Sequence, residues 1–283
     1  MFSTPITRAL ALILSALLFT ACGSDPAPVP ATLDPAAVDR AGVGLLASVL
    51  AFDVAETLGG LDTLVPASPT ATVGANINGR STRLVGTCGM VERDGEAVRV
   101  TVVAAGCVVT QPDPPVDPPL QFVPPAGMTA GVVTFTATRP VADLVIAVRF
   151  ENVVARGVSL NGTVTLTTAD VVTWSAAIDL QTTQPTDAQI TGTLELTLAG
   201  TSRTIEGELA VARGATTTAM FANVMWARGG CFPGAGTFMF GAAGSETLGS
   251  FDATTATSGA FLVTFAMVDS PATLPAYGVC PAP

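Results

Sequence analysis

From Thr129 onward, apolar and polar residues alternate along the chain with a period of two. In "VTWSAAIDLQ", Val172, Trp174, Ala176, Ile178 and Leu180 share one face, and Thr173, Ser175, Ala177, Asp179 and Gln181 share the other. Leu144, Ile146, Val148 and Phe150 are opposed in the same way by Val145, Ala147, Arg149 and Glu151. Side chains two apart on an extended chain point the same way, so this pattern marks antiparallel strands with one face on a core. About ten such segments lie between Thr129 and Met267. An earlier pair of apolar runs flanks Asp94-Gly95, a dipeptide suited to the tight turn of a hairpin. The predicted class is mainly β: an antiparallel, strongly curved meander, a sandwich or a half-open barrel, with one N-terminal helix packed on it.

The helix is predicted over residues 34–60. Asp34 serves as its N-cap, Pro35 takes the first helical position, and Gly59-Gly60 ends it. The run is apolar nearly all round, but Asp39, Arg40, Asp53 and Glu56 interrupt it. A bilayer span needs about 20 clean apolar residues, so the pattern describes a helix buried against the domain. Its two internal glycines, Gly42 and Gly44, count against helicity. Residues 111–127, rich in proline, fit neither a helix nor a central strand and read as a long surface loop.

A weak repeat runs through the strands: glycine followed by apolar residues two and four places on. The copies begin at Gly131, Gly162, Gly192, Gly207, Gly236 and Gly259. By parity, each glycine lies on the apolar face. Two readings follow. The glycines line the inside of a curved sheet with the helix in its concavity, or they merely start each strand after a turn.

Composition narrows the chemistry. The chain is 49% apolar and only 12% charged, with a net charge of −10. All 12 basic residues are Arg; there is no Lys and no His. An acidic chain without Lys clusters argues against nucleic acid as a partner. Without His, no Ser-His-Asp or Cys-His nucleophile and no His metal ligand can be built. Without Lys, there is no Schiff base and no phosphate-loop lysine. Glu206 and Glu208 share a strand face, but by parity it is the solvated one. Asp113 and Asp117 lack the spaced oxygen ligands of a calcium loop. "GGCFPGAG" at Gly229 has the glycines of a phosphate loop but leads into a strand, and Asn161-Gly162-Thr163 matches a glycosylation pattern. No catalytic residue, metal site or cofactor is assigned.

The first 21 residues follow the plan of a signal peptide. Arg8 gives a positive start, Ala9 to Phe19 form a short apolar core, and small residues precede Cys22. The segment Phe19-Thr20-Ala21-Cys22 resembles the lipobox of bacterial lipoproteins, with Phe19 in place of the favoured Leu. The resemblance covers the leader alone. It implies cleavage before Cys22, a diacylglyceryl group on the Cys22 sulfur, and anchoring by two or more acyl chains. Gly23, where Asp would signal inner-membrane retention, implies the outer membrane in a Gram-negative source. Residues 22–33 then form a Pro-rich tether and residues 34–283 a single β-rich domain. With Cys22 assigned to lipid, Cys88, Cys107, Cys231 and Cys280 remain, an even four for an oxidising compartment. Three pairings are open; short closure favours Cys88–Cys107 and Cys231–Cys280. No CxxC spacing supports a zinc site instead.

Three functions fit these observations. The first is a lipid-anchored protein of the cell envelope whose β-domain binds or scaffolds, with the membrane and an envelope protein as partners, and does no chemistry. The second is a carrier of lipid or another apolar ligand, since a curved sheet with a helix beside it is similar to half-barrel lipoproteins that shuttle acyl chains. The third is a carboxylate-based hydrolase, for which no motif speaks. A transmembrane barrel is disfavoured, because two Trp and one Tyr cannot supply its aromatic girdles.

Overall fold

A computed structural model describes residues 32–59, 89–94, 97–102, 128–138, 143–168, 172–228, 230–241 and 245–274. The chain divides into two compact units, Met1–Thr32 and Leu33–Pro283, and the elements described here belong to the second. The leader and the Pro-rich loop at 111–127 lie outside the described residues.

The second unit opens with helix α1 (Pro35–Gly59) and continues as strands alone, apart from one short helix. The strands are β1 (Gly89–Asp94), β2 (Ala97–Val102), β3 (Met128–Thr138), β4 (Leu144–Ala155), β5 (Val158–Thr168), β6 (Thr173–Thr182) and β7 (Ala188–Ala199). They continue with β8 (Ser202–Arg213), β9 (Ala215–Ala227), β10 (Ala235–Phe240), β11 (Thr247–Phe251), β12 (Ala260–Phe265) and β13 (Val268–Thr273). Helix α2 (Ala253–Ser258) joins β11 to β12. All thirteen strands lie in one antiparallel sheet in chain order, each paired with its sequence neighbours. The sheet is not closed: among the described residues β1 and β13 do not pair. The fold is therefore mainly β with one N-terminal helix packed on an open sheet, as the alternation implied.

The period-two reading places the core correctly. Leu144, Ile146, Val148 and Phe150 of β4 are buried, as are Trp174, Ala176, Ile178 and Leu180 of β6. Val172 falls just outside β6 and is partly exposed. Helix α1 is buried on all sides from Ala37 to Ala55, save Asp39, and packs on β5, β6, β8 and β9. A helix apolar all round has no solvent face to offer, so it sits inside the core rather than on it. Its glycines assist here. A Cβ on Gly44 would lie 2.4 Å from Cγ2 of Val211 on β8, so the missing side chain lets helix and sheet meet closely.

At β9 to β12 the core is aromatic. The Phe238 ring centroid lies 5.5 to 6.2 Å from those of Phe221, Phe240, Phe251 and Phe261. Tilted, edge-on and stacked ring pairs at such distances add to the burial term. The Phe238 ring rests on Gly249, where any Cβ would overlap it at 2.1 Å.

Two strands depart from strict alternation at the same motif. In "FENVVARG" of β4 and "FANVMWARG" of β9, the buried positions step by three, from Phe150 to Val153 and from Phe221 to Val224. The extra residue is Asn in both, Asn152 and Asn223, each at φ 51°. Asn tolerates this left-handed conformation better than other side chains. The pairing register shifts at both points, so each Asn is the inserted residue of a β-bulge. The Asn152 backbone N–H donates to Oδ1 of Asn161 across β4 and β5 at 2.8 Å.

Candidate functional site

The polar residues of the buried helix set the most unusual site in the molecule. Asp53 and Glu56 are one turn apart on α1 and so share a face. Both meet Arg203 of β8: Nη2 donates to Oδ1 of Asp53 at 2.6 Å and to Oε2 of Glu56 at 3.0 Å. The other oxygen of Glu56 lies 2.8 Å from Nε of Arg228, just past β9. The side chains of Arg203 and Asp53 are only 1% and 5% exposed. Two carboxylates and two guanidinium groups balance, which is the condition for keeping charge in a core.

The other end of α1 has the weaker counterpart. Arg213 at the end of β8 pairs with Asp39, with side chains 45% and 41% exposed. Arg40 is buried, donates to Oγ1 of Thr217 on β9 at 2.6 Å and pairs with Asp34. Arg203 opens β8 and Arg213 closes it, while Asp53 follows Asp39 along the helix. The helix thus runs opposite to β8, fastened at both ends.

What this arrangement offers is fixation. It ties the last turns of α1 to the start of β8 and the end of β9. Among the described residues, no group of three or more His, Cys, Asp or Glu side chains is placed to hold a metal ion. Glu206 and Glu208 of β8 are both exposed, as their parity implied. The "GGCFPGAG" stretch is the connection from β9 to β10; Trp226 Nε1 donates to the Gly230 carbonyl at 2.8 Å, and Arg156 Nη1 reaches the same oxygen at 3.3 Å. Asn161 lies within β5 with its Oδ1 engaged by Asn152, a structural role.

Of the five cysteines, Cys231 lies among the described residues, in the β9–β10 connection, with Sγ 3.5 Å from Nη1 of Arg156. Cys22, Cys88, Cys107 and Cys280 lie outside them, as do Asp113 and Asp117.

The repeated glycines separate into two groups. Gly131, Gly162, Gly192, Gly207 and Gly236 lie within β3, β5, β7, β8 and β10, all at positive φ. A Cβ on Gly192 would fall 2.1 Å from the Glu208 carbonyl oxygen, and one on Gly207 2.3 Å from that of Thr193. What comes close is the neighbouring strand, not α1. These glycines let paired strands kink together, and the helix meets β8 closely at Gly44. Gly259 is different again. It closes α2 at φ 73°, donating its N–H to the Thr255 carbonyl, and lines no sheet.

Sequence reasoning missed the Asp53–Glu56–Arg203–Arg228 cluster. One signal was present, since Arg203 shares the parity of buried Ile205 and is therefore a charge on the apolar face. Its partners lie 147 and 150 residues away, beyond any local pattern. No family model, no curated protein and no solved structure matches this chain.

Proposed function

We propose that the chain is a lipid-anchored lipoprotein of the cell envelope whose β-domain binds or scaffolds without catalysis. Cys22 carries the acyl chains, and residues 22–33 tether the domain to the leaflet. In a Gram-negative source, Gly23 after the Cys points to the outer membrane. Cys88, Cys107, Cys231 and Cys280 form two disulfides in this reading, with Cys231–Cys280 the expected partner pair at the β9–β10 connection.

One observation carries the preference for scaffold over carrier. The inner face of β5, β6, β8 and β9 is covered by the chain's own helix, fixed by a buried ion cluster. A carrier needs that face for its ligand. Displacing α1 would separate Arg203 from Asp53 and Glu56 and leave charges buried alone, at a cost of about 3–5 kcal/mol.

The test is mass spectrometry of the protein purified from membranes. The N-terminal peptide should begin at Cys22 and bear a diacylglyceryl group, and Cys22→Ser should move the protein to the soluble fraction. Palmitate label retained by Cys22→Ser would overturn the anchor. Stoichiometric lipid released from the Cys22→Ser domain would overturn the scaffold reading in favour of a carrier.

A further inference from the structure

The hairpin joining β12 to β13 has an unusual tip. Phe265 pairs with Val268, leaving Ala266 and Met267 as a two-residue turn at φ 49° and 62°. Such a turn needs positive φ at both positions, and Asn-Gly or Asp-Gly meets that need with least strain. Here the turn holds Ala and Met in a conformation that L side chains adopt only at a cost. The strain displays an apolar side chain: Met267 is 97% exposed and Val268 64%. Behind the tip, on the outer face of the sheet, Met239 is paired with Met220 on one side and Leu248 on the other, and all three are exposed.

The position of the tip gives this patch a meaning. β8 and β12 are both even-numbered strands of a meander, so they run the same way and end along the same edge of the sheet. β8 ends at Arg213, which pairs with Asp39 near the start of α1. The start of α1 and the Met267 tip therefore share one edge. Met239 and Leu248 lie one residue inside that edge, next to the β10–β11 connection. The opposite edge is polar where α2 lies, with Thr254, Thr257 and Ser258 exposed.

We propose that the Met267–Val268 tip, backed by Met220, Met239 and Leu248, is a second membrane contact that enters the leaflet holding the Cys22 acyl chains; this rests on the lipid anchor proposed above. The lengths agree. The eleven residue steps from Cys22 to Leu33 allow a reach of about 34 Å at 3.1 Å per residue. The four strand spacings from β8 to β12 amount to about 19 Å. The anchor therefore leaves the tip within reach of the same surface. Along this edge Asp34 and Asp39 are paired with Arg40 and Arg213, while exposed Asp187, Glu246 and Asp269 disfavour an anionic surface. The matching partner is a zwitterionic lipid headgroup layer.

Bromolipid quenching of an introduced indole reads the contact directly. Protein purified as its host makes it, bearing Met267→Trp, is mixed with vesicles of phosphatidylcholine or its dibrominated form. The native Trp174 and Trp226 are buried and give a constant background. The introduced indole should shift to shorter wavelength and lose about half its emission in brominated vesicles, while Thr257→Trp at the opposite edge should lose none. Val268→Trp, away from the strained positions, repeats the measurement should Met267→Trp fold poorly. Vesicle flotation reads the anchor separately. Protein that floats with an unquenched tip overturns the tip contact and leaves the anchor standing. Protein that neither floats nor carries acyl mass overturns the anchor, and an unquenched tip at saturating vesicles then overturns the contact as well. A blue shift without quenching means the tip is buried by protein, for instance a second copy, and overturns the lipid assignment.

Discussion

The two ends of α1 provide an internal comparison of what burial does to an ion pair. Arg203 and Arg213 sit on the same strand and each meets acids of the same helix, but only the first is buried. Arg203→Leu removes the guanidinium shared by Asp53 and Glu56. Arg228 remains beside Glu56, while the buried Asp53 carboxylate loses its 2.6 Å contact with Arg203. Loss of one member of a buried pair costs about 3–5 kcal/mol. Arg213→Leu breaks a half-exposed pair worth less than about 1 kcal/mol. With a urea slope of about 3 kcal/mol/M, Arg203→Leu should lower the unfolding midpoint by about 1–1.7 M, and Arg213→Leu by less than about 0.3 M. Arg203→Leu/Asp53→Leu replaces both partners by apolar groups and should recover most of the loss. The assay is urea unfolding of the Cys22→Ser domain followed by fluorescence of Trp174 and Trp226. Equal costs at Arg203 and Arg213 would refute the role given to burial. A double variant no better than Arg203→Leu alone would show that the broken Arg203–Asp53 contact is not the source of the loss.

Two further outcomes follow from other features. Gly192→Ala places a Cβ against the Glu208 carbonyl of the paired strand at φ 150°; it should lower the thermal midpoint sharply, whereas Gly200→Ala, with open space around it and only the strain of φ 58° to bear, should lower it less. Asp252 caps α2, and its carboxyl is held below the usual carboxylate range, mainly by the Thr255 backbone N–H and also by that of Thr254. A depressed folded value means the contribution is full above the unfolded value of about 3.9 and is lost as pH falls through the lower folded one. Amide exchange at Thr254 and Thr255 should therefore speed up on acidification below about pH 4 beyond its intrinsic trend, and Asp252→Asn should flatten that response.

Much of the fold was legible because it rests on local rules. Alternation marks Leu144 to Phe150 and Trp174 to Leu180 as strands and picks their buried faces. Asp34-Pro35 and the glycine pair mark the helix to within a residue at each end. The bulges escaped this logic, because one inserted Asn reverses the parity of every later side chain in the strand. Their trace in sequence is a three-residue step, Phe150 to Val153 and Phe221 to Val224, which reads as noise unless the two copies of Phe-x-Asn-Val are set side by side. The glycines were legible as backbone contacts but not as to what they contact. That depends on which strand lies alongside, as does the partner of Arg203. Gly259 matched the repeat by composition alone; its role comes from the cap of α2.

The meander has a consequence for the order in which the structure can assemble. Each strand meets its partner one hairpin later, so the sheet can grow as fast as chain becomes available. Helix α1 is the exception. It precedes every strand, yet its fasteners on β8 and β9 come about 150 residues afterwards. Closing a loop of that length costs roughly 4 kcal/mol in chain entropy, more than any single hairpin in the sheet. During synthesis from the N-terminus, this apolar helix therefore emerges before every strand and waits longest for cover. Its charged residues, Asp39, Arg40, Asp53 and Glu56, have a second use in that interval: they keep the waiting helix from passing for a membrane span.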